Sequence, residues 1–151
     1  MNETLIRLMA LGGKGYKCSQ IMIIMALEVR GENNPALTRA MAGLSYGCGN
    51  SRGNCGALTG GACVLGLYAG KGTDEEDVSE SLLPMTQELS DWFLERTAEY
   101  GGINCETIVG EGGPDASRQI CGALVAETFE KCMEILMKTG FDPAQAHDDS
   151  R

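Results

Sequence analysis

Histidine is nearly missing from this chain: a single residue, His147, sits in the polar stretch Gln145 to Arg151. Imidazole acid/base catalysis, a His-rich metal site and a c-type haem anchor are thereby disfavoured. Aromatic residues make up 5% of the sequence, and no segment alternates apolar and polar residues for more than a few positions, so strand signals are weak. Basic residues number 12 against 21 acidic ones, giving a net charge of -9, and they form no cluster. A nucleic-acid partner is excluded on this ground, because phosphate binding depends on clustered Lys and Arg. The longest apolar runs, Ile21 to Leu27 and Ala62 to Ala69, fall short of the roughly 20 residues that span a bilayer, so no membrane insertion is expected. Glu3 and Arg7 interrupt the N-terminal apolar residues, no signal peptide is recognisable, and a cytoplasmic protein is expected.

Cysteine is abundant where histidine is not. Seven are present, at 18, 48, 55, 63, 105, 121 and 132, with separations of 30, 7, 8, 42, 16 and 11. An odd number without a secretion signal argues against a disulfide framework. No C-x-x-C occurs, which removes thioredoxin-type motifs, zinc ribbons and fingers, clustered ferredoxin spacing and the haem motif. Any site must be assembled from distant segments.

Helical spacing recurs along the chain and predicts a single all-α domain over 1–151, a bundle of about five to seven helices, with a disordered tail at 143–151. Met1 to Leu11 is stopped by Gly12, Gly13 and Gly15, and Cys18 to Val29 reads as an almost wholly buried helix. Asn34-Pro35 starts a third helix that ends near Gly43. After a glycine- and asparagine-rich loop, Cys55 opens a segment of small residues in which Gly56 and Gly60 bare one face for close approach. Thr73 with Glu76 predicts a capping box, followed by a helix carrying Leu82 to Tyr100 with a break or kink at Pro84. Asn104 caps a short helix from Cys105, and a last helix covers about Ser117 to Lys138.

Cys18, Cys55 and Cys105 each fall at or near a predicted helix N-terminus, and Cys121 falls in the second turn of its helix. Helix N-termini favour thiolate, so these four are the candidates for redox reactivity or metal ligation. Cys63 and Cys132 read as small core residues, and Cys132 lies about 16 Å along the helix from Cys121, too far to share a site. Cys48, in the loop, is either an auxiliary thiol or incidental.

The segment Cys55-Gly56-Ala57-Leu58-Thr59-Gly60 behind its glycine-rich loop resembles the signature of the C_GCAxxG_C_C family, proteins to which a redox role is ascribed. Asn54 stands where the name has its leading glycine, and Gly56 follows Cys55 directly. The four cysteines of the name correspond in order to Cys18, Cys55, Cys105 and Cys121. A looser similarity to the cysteine-bearing part of split-Soret cytochromes implies an iron-sulfur cluster, of the [2Fe-2S] type, held by those four thiolates with room made by Gly56 and Gly60. The resemblance thus implies an oxidoreductase or electron carrier with a redox protein partner, acting through a cluster or through thiol/disulfide exchange, as monomer or homodimer. The alternatives from the residues themselves are a non-redox zinc site of the same cysteines, or a helical scaffold or partner-binding protein with no cofactor.

Overall fold

Local chemistry sets most helix boundaries in the computed structural model, which describes residues 2–145. Asn2 caps the Glu3–Gly13 helix by accepting from the Leu5 amide at 2.8 Å, and Gly15 turns the chain out of it with φ 96°. Helices then cover Cys18–Val29, Pro35–Met41, Gly56–Ala69, Leu82–Arg96, Cys105–Val109 and Arg118–Thr139. Short 3-10 turns lie at Ala42–Leu44 and Ala98–Tyr100, and single turns at Ser45–Cys48 and Gly113–Ala116. Among the described residues there is no strand, only an isolated antiparallel bridge between Asn54 and Asn104. No helix among them is long and apolar enough to cross a membrane. The predicted all-α bundle is what the chain forms.

One predicted start is corrected. The helix expected from Thr73 begins instead at Leu82, and Asp74 to Asp77 lie outside any helix. Half of the predicted box exists, since the Glu76 carboxylate accepts from the amide of Thr73 at 3.2 Å and from that of Gly72, but no helix follows it. Pro84 explains the register: it occupies the third helical position, where its missing N–H has no intrahelical partner to lose, so it marks a start rather than a kink.

Gly56–Ala69 is the axis of the molecule, packed by Cys18–Val29, Leu82–Arg96 and Arg118–Thr139, while Glu3–Gly13 lies across the last helix. Each of its glycines costs about 0.5–1 kcal/mol in helix propensity. Full burial of Val64 and Leu65 contributes about 1.5–3 kcal/mol apiece, so packing overrides propensity. The glycines allow that packing. A Cβ at Gly60 would lie 3.2 Å from the Ser19 Cα and 3.1 Å from Met22 Cβ, so the Cys18–Val29 helix approaches on that side. A Cβ at Gly61 would lie 3.0 Å from Leu89 and 3.1 Å from Thr128, on the two other neighbours. The core is completed by Met22, Ile23, Leu89, Phe93, Leu124, Ile135 and Leu136. At its edge Phe141 stacks edge-on against Tyr68, whose hydroxyl donates to the Pro143 carbonyl at 2.6 Å. Of the tail predicted to be disordered, residues 146–151 lie outside the described residues.

Candidate functional site

Three of the four predicted thiols stand where a helix begins, and the fourth lies a turn inside one. Cys18 is the first residue of Cys18–Val29, whose start is fixed by the Lys17 amide donating to the Gln20 side chain at 3.1 Å. Cys55 is the residue capping Gly56–Ala69, Cys105 opens Cys105–Val109 behind Asn104, and Cys121 lies one turn into Arg118–Thr139.

Backbone hydrogen bonds draw these starts together. The Cys55 amide donates to the Ile103 carbonyl at 2.8 Å, Cys105 to Gly53 at 2.9 Å and Glu106 to Ser51 at 2.7 Å. The loop before Cys55 is thereby laced to the segment that presents Cys105. Ser117 Oγ donates to the Val109 carbonyl at 2.7 Å and holds the start of the last helix, with Cys121, beside the same short helix. On the other side Ser19 Oγ donates to the Met41 carbonyl at 2.7 Å, fastening the chain that leads into the loop.

The loop itself is unusual. Tyr46, Gly47 and Cys48 form a left-handed turn with φ of 53°, 55° and 60°, where each non-glycine residue costs about 1–2 kcal/mol. Gly47 is forced to lack a side chain, because a Cβ would sit 2.8 Å from the Gly53 carbonyl oxygen and 3.1 Å from the Cys105 Cβ. The Tyr46 amide on this turn, with those of Ser19, Cys18 itself and Gly56, favours the ionised form of the Cys18 sulfur. Gly56 lies so close that a Cβ there would be 2.4 Å from Cys18 Sγ. Tyr46, Gly47 and Ser19 were not singled out by sequence. The crowding of glycine and asparagine between Tyr46 and Asn54 was the available sign of left-handed backbone.

Every pair among Cys18, Cys55, Cys105 and Cys121 interacts electrostatically. Burial pushes Cys55 up to about 12, with the Ala57 amide opposing and the other three thiols adding to the rise. Cys105 is pushed up to about 11 by burial, then by Cys18, Cys121 and Glu106. Burial also raises Cys121, with Cys18 adding, and raises Cys18 against the pull of its four amides. The amides pull Cys18 and Cys55 toward thiolate, as helix starts should, but loss of water is the larger effect in each.

The remaining cysteines stand apart from this set. Cys48 is exposed on the left-handed turn. Cys132 is wholly buried, as expected, with its thiol donating to the Gly61 carbonyl at 3.6 Å and pushed up to about 12 by burial. Cys63 is half-buried against the core, and its thiol is raised by burial. All seven cysteines are free thiols.

Thiol donors suit soft metals and iron-sulfur clusters. Among the described residues, however, no group of three or more His, Cys, Asp or Glu side chains is arranged so that it could hold a metal ion.

No curated protein and no solved structure matches the chain. A family model does: the one described as "Putative redox-active protein (C_GCAxxG_C_C)" matches residues 16–135, the stretch that contains all four thiols. With that match covering most of its length, the chain belongs to the C_GCAxxG_C_C family.

Proposed function

We propose that this protein is a one-electron redox carrier in which Cys18, Cys55, Cys105 and Cys121 hold a [2Fe-2S] cluster. The observation that carries the reading is the meeting of four thiols from four separate segments, Cys55 and Cys105 buried and Cys18 and Cys121 partly buried, with every pair interacting. Such a cluster supplies a one-electron couple when bound.

The chain's own groups account for the rest. Four thiols gathered in a largely buried setting are hard to ionise alone, because burial and mutual repulsion both oppose it. A cationic centre removes both penalties and lets them bind as thiolates, releasing their protons. The amides on Cys18 then hold its sulfur and offset charge, while the buried setting excludes water. A structural zinc site of the same four cysteines is the alternative, and metal analysis separates the two. Dithiol exchange without metal needs a thiolate near neutral pH, and all four thiols are raised away from it. Electron donor and acceptor are taken to be other redox proteins, in a reducing compartment such as the cytoplasm, which suits seven free thiols.

The test is purification without oxygen, followed by a visible spectrum and iron, sulfide and zinc analysis. About two irons and two sulfides per chain are expected, lost on Cys→Ser substitution at any of the four positions. A colourless chain without iron or sulfide overturns the reading, and stoichiometric zinc in their place replaces it with the zinc one.

A further inference from the structure

We infer that the exposed face around Cys18, bearing Lys14, Tyr16, Lys17, Arg39, Tyr46 and Arg52, is the docking surface for an acidic redox protein. The inference names the partner class of the redox reading above and rests on it for the partner's chemistry, while the binding itself needs only the charges and rings of this face.

Carboxylates are distributed unevenly along the chain. Residues 14–20 and 34–56 contain none of the 21 acidic residues, yet they carry four of the 12 bases. Those four, Lys14, Lys17, Arg39 and Arg52, are all exposed, and none takes part in an ion pair. Among the described residues every other base except Lys71 is matched by a carboxylate. The unmatched positive charge of the molecule is thus gathered largely in these two stretches.

Tertiary structure brings the two stretches together. Ser19 Oγ donates to the Met41 carbonyl at 2.7 Å and Gln20 Nε2 to that of Thr38 at 3.1 Å, which sets the helix bearing Arg39 against the turn that follows Lys17. The Gly53 amide donates to the Gly47 carbonyl at 3.1 Å, so Arg52 lies beside the turn that bears Tyr46. The second stretch ends against the thiol itself, a Cβ at Gly56 being 2.4 Å from Cys18 Sγ. Glu106, whose amide donates to Ser51, marks the edge of the face on the Cys105 side.

The same face carries rings. Among the described residues Tyr16 and Tyr46 are the only exposed aromatic side chains, 38% and 40% exposed. Tyrosine and arginine are over-represented among residues that carry binding energy between proteins. Cys18 follows Lys17 directly and is partly buried, so a partner seated on these residues lies over the thiol site.

The remainder of the chain selects the same partner by repulsion. It holds eight bases against all 21 acids, so an acidic protein is turned away there and drawn to the Cys18 face. Such a field steers a charged partner into one orientation. A nucleic-acid duplex, long and uniformly charged, runs past a face of this size onto the repelling carboxylates, whereas a small acidic protein does not.

The test is fluorescence anisotropy of a labelled plant-type ferredoxin, an acidic one-electron protein, titrated with the full chain purified without oxygen. It is run at about 10 mM and about 0.1 M salt, between which the Debye length falls from about 30 to about 10 Å. Binding at the lower salt that weakens at the higher is expected, and Lys17→Glu/Arg52→Glu is expected to weaken it about tenfold. Lys71→Glu/Lys138→Glu makes the same change of charge about 20 and about 25 Å along the helices from Cys55 and Cys121, and is expected to alter the affinity by less than about twofold. All four substituted side chains are exposed, so the helix signal is expected to be unchanged in both variants. No binding at the lower salt, an unchanged affinity in the first variant, or equal losses in the two overturns the inference. Displacement of the ferredoxin by an equal concentration of a short DNA duplex overturns it in favour of nucleic acid. Absence of iron and sulfide from the chain is a separate outcome: it overturns the cluster reading, while the binding result, which reads surface charge, stands or falls by itself.

Discussion

Buried thiols make this protein sensitive to alkali in a way that would separate a metal-free form from the iron-loaded form proposed above. Cys132 keeps its proton to about 12 when folded, against an ordinary value of 9.0. As pH rises past 9, the unfolded chain releases that proton while the folded chain retains it, so the unfolded state binds fewer protons and stability falls. The slope is about 1.4 kcal/mol per pH unit for each such thiol. In metal-free protein Cys55 and Cys105, at about 12 and 11, add to the loss. Guanidinium unfolding between pH 8 and 10.5 is expected to show a steep decline for metal-free protein and a shallower one for iron-loaded protein, whose ligating thiols have already lost their protons. Cys132→Ala is expected to flatten the decline in both, at a cost of about 1 kcal/mol near pH 7 for the small cavity it leaves.

Among the helices, Gly56–Ala69 shows how one residue type serves opposite ends. Gly61 is pressed between Leu89, Thr128 and Cys132, with a Cβ there 3.0, 3.1 and 3.2 Å from them. Gly66 has nothing within 4 Å of the same construction. Gly61→Ala is therefore expected to destabilise by about 1–3 kcal/mol through overpacking. Gly66→Ala is expected to stabilise by about 0.5–1 kcal/mol, since it gains helix propensity and meets no atom. Thermal unfolding of the two variants reads the opposite signs directly. The same reasoning separates Gly60 from Gly56: the first admits the neighbouring helix at Ser19 and Met22, and the second admits the Cys18 sulfur.

Across the molecule, the four-thiol set ties together segments from position 18 to position 121, and the helices between them form one contiguous core. On the proposed cluster reading, loss of iron and unfolding of the bundle are coupled events, because no short piece of chain holds more than one of the four thiols. Loss of visible absorption and loss of far-ultraviolet helix signal are expected to share one midpoint when the iron-loaded protein is unfolded without oxygen. Two separate midpoints would mean that the thiols form a site independent of the core. The net charge of -9 is carried mainly on exposed side chains, and the ion pairs formed there, such as Arg96 with Glu99 and Glu127, are partly or fully exposed and contribute little by themselves.

Helix identity was largely readable from local chemistry. Asn34-Pro35, the glycines after Leu11 and the apolar spacing of the last helix each act over one turn, so the sequence alone placed Pro35–Met41, Glu3–Gly13 and Arg118–Thr139. It also set Cys18, Cys55 and Cys105 at helix starts, for the same reason. Where two local signals competed, between Thr73 and Pro84, the position of the helix depended on which start could pack Met85, Leu89 and Phe93 into the core. The lacing of Gly53 and Cys55 to Cys105 and Ile103 joins residues about fifty apart, and spacing within one segment carries no trace of it. The state of the thiols was the furthest from reach. A helix start favours thiolate locally, but burial is a property of everything packed around the sulfur, and here it wins.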